Sequence, residues 1–256
     1  MRAALGRCAG TALLFAVLTT AAVAQSEGAG MLAARNDIHN TASLQRGARN
    51  FINYCSGCHS AQFVRYNRIG TDLMIPEAAL RANLMFNPDA KVADTLHSAM
   101  PAADANNWFG AAAPDLSLMA RARGTDYIYN YLKGFYRDPS RPTGVNNAVL
   151  KGTAMPDVLA SLRGEQKAVF RTVTLRTDEG KEYQEQQFDK FEIGQPGTLN
   201  AQEFDDFVRD TVNFVQYMGE PIQAKREKLG VWVVLFLLLF TLFAYLLYKD
   251  YWREVD

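Results

Sequence analysis

Residues 229–248 run for twenty positions without a charged side chain: LGVWVVLFLLLFTLFAYLLY. As an α-helix this run is about 30 Å long, which matches the hydrocarbon core of a bilayer. No other feature restricts the fold as tightly. Buried core helices of soluble proteins are usually shorter and keep a polar face. Trp232, Tyr245, Tyr248, Tyr251 and Trp252 sit toward the ends, where amphipathic rings favour the membrane–water interface. The run is read as a transmembrane helix, with 249–256 as a short tail.

A second apolar stretch opens the chain. Arg2 and Arg7 form a basic start before the apolar residues 11–18, and Ala22-Val23-Ala24 is a small-x-small cleavage site. Residues 1–24 therefore read as a cleaved secretory signal, the apolar stretch being short for a span. Export places residues 25–228 on the extracytoplasmic side and 249–256 in the cytoplasm. Charge counting pulls mildly the other way, since Lys225, Arg226 and Lys228 precede the span and only Lys249 and Arg253 follow it. The signal fixes the first choice of side and decides the orientation. Cleavage removes Cys8 and leaves Cys55 and Cys58, too few for a disulfide scaffold. With 27 basic and 27 acidic residues and no basic block, the chain gives no support for nucleic-acid binding.

Between its ends the chain reads as mostly helical, with loops rich in Pro, Gly and Asn. Residues 43–54 begin at a capping serine and put Leu44, Ala48, Phe51 and Ile52 on one side. Residues 76–85 and 114–123 each carry Pro at a helix start. Residues 126–136 set Ile128, Tyr131, Leu132 and Phe135 at helical spacing. Residues 168–175 alternate instead, through Val169, Phe170, Val173 and Leu175. Asp178-Glu179-Gly180 supplies a turn and 181–193 returns, which predicts a β-hairpin. Residues 200–218 form an amphipathic helix with Phe204, Phe207, Val208, Val215 and Met218 inward, leading through Gly219-Glu220-Pro221 toward the span.

The chemistry lies in Cys55-Ser56-Gly57-Cys58-His59. Two thiols three positions apart can each add to one vinyl group of a haem, and the adjacent His59 is then held against the iron. A redox pair would use C-x-x-C alone, and zinc would need two more soft ligands. Only His39 and His97 remain as other histidines. The motif therefore reads as the attachment site of one haem c. A six-coordinate electron carrier needs a second axial ligand, often a thioether. Of Met31, Met74, Met85, Met100, Met119, Met155 and Met218, Met85, Met119 and Met218 sit on helical faces and read as core. Met100 and Met155 both precede Pro in loops. Local sequence leaves these two nearly tied, with the flexible approach 151–154 in favour of Met155.

At this point the chain resembles a known family. SLQRGARNFINYCSGCHSAQFVRYNRIG, APDLSLMARARGTDYIYNYLKGFY, GTAMPDV and FVRDTVNFVQYMGEP, followed by one C-terminal span, are similar to bacterial cytochrome c1. That family is the haem subunit of quinol–cytochrome c reductase, the respiratory cytochrome bc complex. The resemblance implies a mainly α fold: a class I cytochrome c-like haem domain with a small β-hairpin insertion and one C-terminal transmembrane helix. It implies thioether links at Cys55 and Cys58, axial ligands His59 and Met155, and haem-propionate contacts from Arg123 and Tyr127. Read from the residues alone, Arg123 is a cation at a helix C-terminus and Tyr127 is core.

The resemblance also implies partners. An electron arrives from the Rieske iron–sulfur protein and leaves to a soluble or tethered c-type cytochrome, within a dimeric complex that contains cytochrome b. The haem domain would lie in the periplasm, anchored once in the bacterial inner membrane. Such a subunit is not an enzyme on its own, because the quinol site belongs to another subunit. An anchored carrier or haem sensor outside that complex is the rival reading, and a peroxidase would need an open iron position. Two departures stand out. Ala113 precedes Pro114 where the family usually has two prolines, and residues 159–190 look inserted relative to mitochondrial members. The acidic residues Asp178, Glu179, Glu182 and Glu185, like Glu203, Asp205, Asp206 and Asp210, read as solvated faces before they read as docking sites.

Overall fold

The computed structural model describes residues 31–176 and 182–254; the signal reading over 1–24, with Cys8, and the turn at 178–180 with Lys181 lie outside the described residues. Residues 32–256 form one unit. Its frame is a pair of helices from opposite ends of the sequence, α1 (Thr41–Tyr54) and the helix over Ala201–Gly219. Leu44, Ala48, Phe51 and Ile52 are buried as their spacing predicts. The cap of α1, however, is Asn40, whose side chain accepts from the Ser43 N–H. Ser43 is itself buried and its hydroxyl accepts from Asn213 across the helix pair, so it is a core residue and not the cap.

Gly47 lets the two helices approach. A Cβ there would lie 2.0 Å from the Asp210 carbonyl oxygen. Polar side chains lock the crossing on both sides: Arg46 places Nε and Nη2 at 2.5 and 3.0 Å from the Asp210 carboxylate, and Asn50 donates to the Phe207 carbonyl and Thr211 hydroxyl. Asp210 is therefore buried and paired and does not belong to a solvated acidic face. Glu203 closes a capping box with Asn200, and Asp205 and Asp206 pair with Lys133 and Arg209.

Smaller elements wrap this pair. In chain order they are β1 (Ala61–Arg65), α2 (Tyr66–Asp72), α3 (Glu77–Leu84), β2 (Thr95–Leu96), α4 (Ala102–Phe109), α5 (Met119–Arg123) and α6 (Thr125–Lys133). Residues 114–118 are not helical, contrary to the sequence reading. The Asp115 carboxylate accepts from the Gln62 and Ser117 N–H groups, and Leu116 N–H donates to the Ser60 carbonyl. Those bonds tie the segment to the loop after α1, and the helix starts only at Met119. Likewise α6 stops at Lys133, and Phe135 and Tyr136 are buried from a strand, β3 (Phe135–Arg137), paired antiparallel with β4 (Val145–Asn147). Gly134 marks the change, since a Cβ there would press on the Asn130 carbonyl and the Asn147 side chain.

After the single turn α7 (Ala160–Arg163) comes the hairpin, β5 (Gly164–Arg176) and β6 (Glu182–Pro196), paired from Gly164↔Pro196 to Arg176↔Glu182 with two bulges. It is longer than the alternating residues alone indicate. At its base Gly164, with φ +99°, crosses Gly197 so closely that a Cβ on either would strike backbone at 2.2 Å. Gln166 bridges to the Lys133 and Phe135 carbonyls, and Phe170 packs edge-on to Tyr136. The distal half of the ribbon is mostly exposed.

The helix Ala201–Gly219, now α8, leads into α9 (Gln223–Tyr251). This last helix has no buried residues and is long and apolar enough to cross a membrane. Its first turns are tied to the head: Glu220 accepts from Arg121 and Arg226, Lys225 lies 3.9 Å from Asp72, and His39 Nε2 lies 3.1 Å from Glu227. Two of the three cations that unsettle the orientation count are thus engaged by carboxylates of the protein. Because these ties precede residue 229, removal of 229–256 is expected to leave them intact. The truncated protein should run as a detergent-free species on gel filtration and still stain for haem. An exported truncation that never acquires haem would show that the anchor is needed for maturation.

Candidate functional site

A cavity of about 440 Å³ opens at the C-terminal end of α1, within the size range of small-molecule and cofactor sites. Cys55 is the C-cap of α1, its N–H bonded to the Phe51 carbonyl. The Cys58 and His59 N–H groups then both donate to the Cys55 carbonyl, at 3.1 and 2.8 Å. That turn brings both thiols and the imidazole onto the cavity wall. The bonds of that turn are all local to the motif.

The imidazole is oriented by the segment that failed to be helical. His59 Nδ1 lies 2.7 Å from the Pro114 carbonyl oxygen. A carbonyl only accepts, so the hydrogen sits on Nδ1 and Nε2 keeps its lone pair. Burial lowers the His59 pKa, outweighing the Pro114 hydrogen bond and the Asp115 charge, and so favours the neutral form that ligates metals. Burial, with Cys58 alongside, pushes the Cys55 thiol up to about 12.

Met155 reaches the same cavity from a loop between β4 and α7. Its sulfur lies 3.6 Å from the Tyr131 hydroxyl, which also bonds Thr153 at 2.7 Å. The approach 151–154 is not the flexible segment expected from its glycine. Fully buried Asn147 accepts from the Val149 and Leu150 N–H groups and donates to the Tyr131 carbonyl. Gly152, with φ +78°, donates to Asn146 and accepts from Arg141. A left-handed residue at this point is what the bonded turn requires, so the glycine serves conformation and not mobility.

Arg123 and Tyr127 also line the cavity, the guanidinium 5.5 Å from the centre of the Tyr127 ring. Tyr127 stacks on Tyr131, one helical turn on, at 6.1 Å. All six residues singled out from the sequence thus share one cavity. So do Met100 and Met119, the second of which the sequence assigned to core alone. The wall formed by Thr211 and Val215 of α8 was missed as a site feature. Its only signal was the inward face of that helix, which cannot show that the face borders a cavity.

The donor set fits a covalently held haem. Two unpaired thiols at attachment spacing, a neutral imidazole with one free nitrogen and a thioether converge on a mainly apolar space. Among the described residues there is no cluster of three or more His, Cys, Asp or Glu that would hold a metal ion.

Comparison with known proteins agrees with the donor set. The model of the Cytochrome C1 family matches residues 33–163 and 195–255. The unmatched interval, 164–194, is nearly the whole hairpin. "Cytochrome c1" of Allochromatium vinosum is 46% identical over 92% of this chain and 94% of its own length. A protein of Nitrosomonas europaea named "Ammonia monooxygenase gamma subunit" is 40% identical over 95% of this chain and 97% of its own. The mitochondrial "Cytochrome c1, heme protein" of Schizosaccharomyces pombe is 31% identical over 78% of this chain and 63% of its own.

Proposed function

Since the chain belongs to the cytochrome c1 family, we propose that it accepts one electron from the Rieske iron–sulfur protein and passes it to a soluble or tethered c-type cytochrome. Members of the family are electron-transfer subunits with one covalently attached haem c, and this chain is one of them. Its C-terminal apolar helix supports a membrane anchor. In this reading the chain works in a dimeric complex with cytochrome b, which holds the quinol site elsewhere. The haem domain, 25–228, stands in the periplasm of a bacterial cell, with the span at 229–248.

The observation that carries the reading is the convergence of Cys55, Cys58, His59 and Met155 on one cavity. Haem bound there supplies a one-electron iron couple. Cys55 and Cys58 hold it covalently, so an exported protein does not lose it. His59 would ligate the iron through Nε2, because its Nδ1–H is held on the Pro114 carbonyl, a bond that fixes the ring plane and strengthens the donor. Met155 would supply a soft sulfur that favours ferrous iron and raises the potential, and Tyr131, itself held by Thr153, steadies that sulfur. Arg123, braced over the Tyr127 ring, would meet the propionates together with Tyr127. The mainly apolar walls would limit the water around the haem and keep the reorganisation of each transfer small. Nothing here makes or breaks a substrate bond.

Two measurements test this. Purification of the full chain from membranes should bring cytochrome b and the Rieske protein with it; isolation without either would favour a carrier or sensor outside the complex. In a denaturing gel the wild type should keep its haem stain, and Cys55→Ala or Cys58→Ala should weaken it. Loss of all haem from the wild type would refute covalent attachment.

A further inference from the structure

We propose that the buried ion pair Asp157–Arg163 is a positioning device that sets the Met155 thioether over the iron. The proposal rests on the reading of Met155 as the sixth ligand. Asp157 stands two residues after Met155, and its side chain is 6% exposed; that of Arg163 is 7% exposed. Arg163 Nη2 donates to one Asp157 oxygen, and the Leu159 N–H donates to the other. Nε points at the Gly164 carbonyl at 3.3 Å, and the guanidinium lies 5.7 Å from the centre of the Phe204 ring on α8. Nη1 is buried with no partner among the described residues.

An arrangement like this is a poor way to gain stability, because desolvating two charges offsets most of their attraction. Its better-supported use is to select one conformation among several. What it selects here is the exit of the ligand loop. The entry is already fixed through Asn146, Asn147 and Arg141, and Thr153 is held by Tyr131. Downstream of Pro156, Leu159 packs into the core, and the carboxylate of Asp157 supplies the polar tie to α7 and, through Arg163, to α8. Arg163 is also the last residue before the hairpin, at the point where the family match breaks off. The pair therefore closes the loop against the frame before the chain leaves for the ribbon. A sulfur–iron bond needs its donor within a few tenths of an ångström, so an exit free to shift would let the thioether leave the iron part of the time.

The test uses the full-length, haem-loaded protein in detergent. Asn at 157 keeps an acceptor for the Leu159 N–H, and Met at 163 keeps length without charge, so D157N/R163M strands neither charge. Arg163→Lys keeps the charge but cannot donate from a fork to both the carboxylate and the Gly164 carbonyl. In the double variant the carbon-monoxide-reactive fraction of ferrous haem should rise by about tenfold, with a weaker thioether-to-iron charge-transfer band and haem still covalently attached. Arg163→Lys should move both readouts the same way by less, and it decides alone if the double variant does not mature. A wild-type band and wild-type inertness to carbon monoxide would overturn the proposal. So would a lowered thermal midpoint with the band unchanged, which marks a merely structural role. Met155→Leu, run alongside, separates the two ideas. If it leaves the band intact, the ligand assignment has failed; if it abolishes the band while the clamp variants keep theirs, only the clamp has.

Discussion

Met155→Leu should lower the midpoint potential of the bound haem by at least about 59 mV, a tenfold change in a one-electron equilibrium. It should also let ferrous iron bind carbon monoxide. Leucine keeps the volume of the side chain but removes the soft donor that favours the ferrous state. Met100→Leu should do neither. Both methionines line the cavity and both precede Pro, so proximity and local sequence do not separate them. Support does. Met155 sits in a bonded loop with its sulfur beside Tyr131, whereas the hydrogen bond at Met100 is one that its backbone carbonyl accepts from Ser98. Met119→Leu is the third arm, because that residue lines the cavity from the start of α5. Redox titration and carbon-monoxide difference spectra of the three variants read the result. An open iron in Met100→Leu, with Met155→Leu unchanged, would assign the ligand to the other loop.

Gly47→Ala should strongly destabilise the head by forcing its two long helices apart. The new Cβ would sit 2.0 Å from the Asp210 carbonyl oxygen and 2.8 Å from the Phe214 Cβ. Backbone cannot rotate out of the way as a long side chain can, so α1 and α8 must separate. That movement strains the Arg46–Asp210 fork and the Asn50 bonds and loosens the Phe51–Phe214 contact at 5.6 Å. Overpacking of this kind costs about 3 kcal/mol or more, a large part of the stability of an ordinary domain. Thermal unfolding of the truncated head measures it. Gly57→Ala is the control, since a Cβ there meets nothing within 4 Å, and it should leave the midpoint where it was. Equal midpoints for the two variants would mean that the helix crossing is looser than the structure has it.

Much of the fold was legible wherever a signal is local. The inward faces of α1 and α8, the Pro-led start of α3 and the hairpin all follow from spacing and turn residues, and the structure has each of them. The errors share a cause. Residues 114–118 look helical because Pro at a first position usually opens a helix, but their N–H and carbonyl groups are claimed by the loop after α1. Ser43 looks like a cap because nothing local shows that Asn213, 170 residues away, buries it. Asp210 looks solvated because its partner, Arg46, lies 164 residues back.

The sequence by itself determined the chemistry of attachment and the membrane-length helix. Both depend on residues adjacent in the chain, and a bonded turn or a twenty-residue apolar run needs no distant partner to exist. Tertiary structure alone decided how the ring of His59 is turned, how the Met155 loop is braced, and that Arg123 and Tyr127 share a wall with both. The bonds that hold them join residues 16 and 55 positions apart. No local pattern specifies them, just as none specifies the close crossing of α1 and α8 at Gly47.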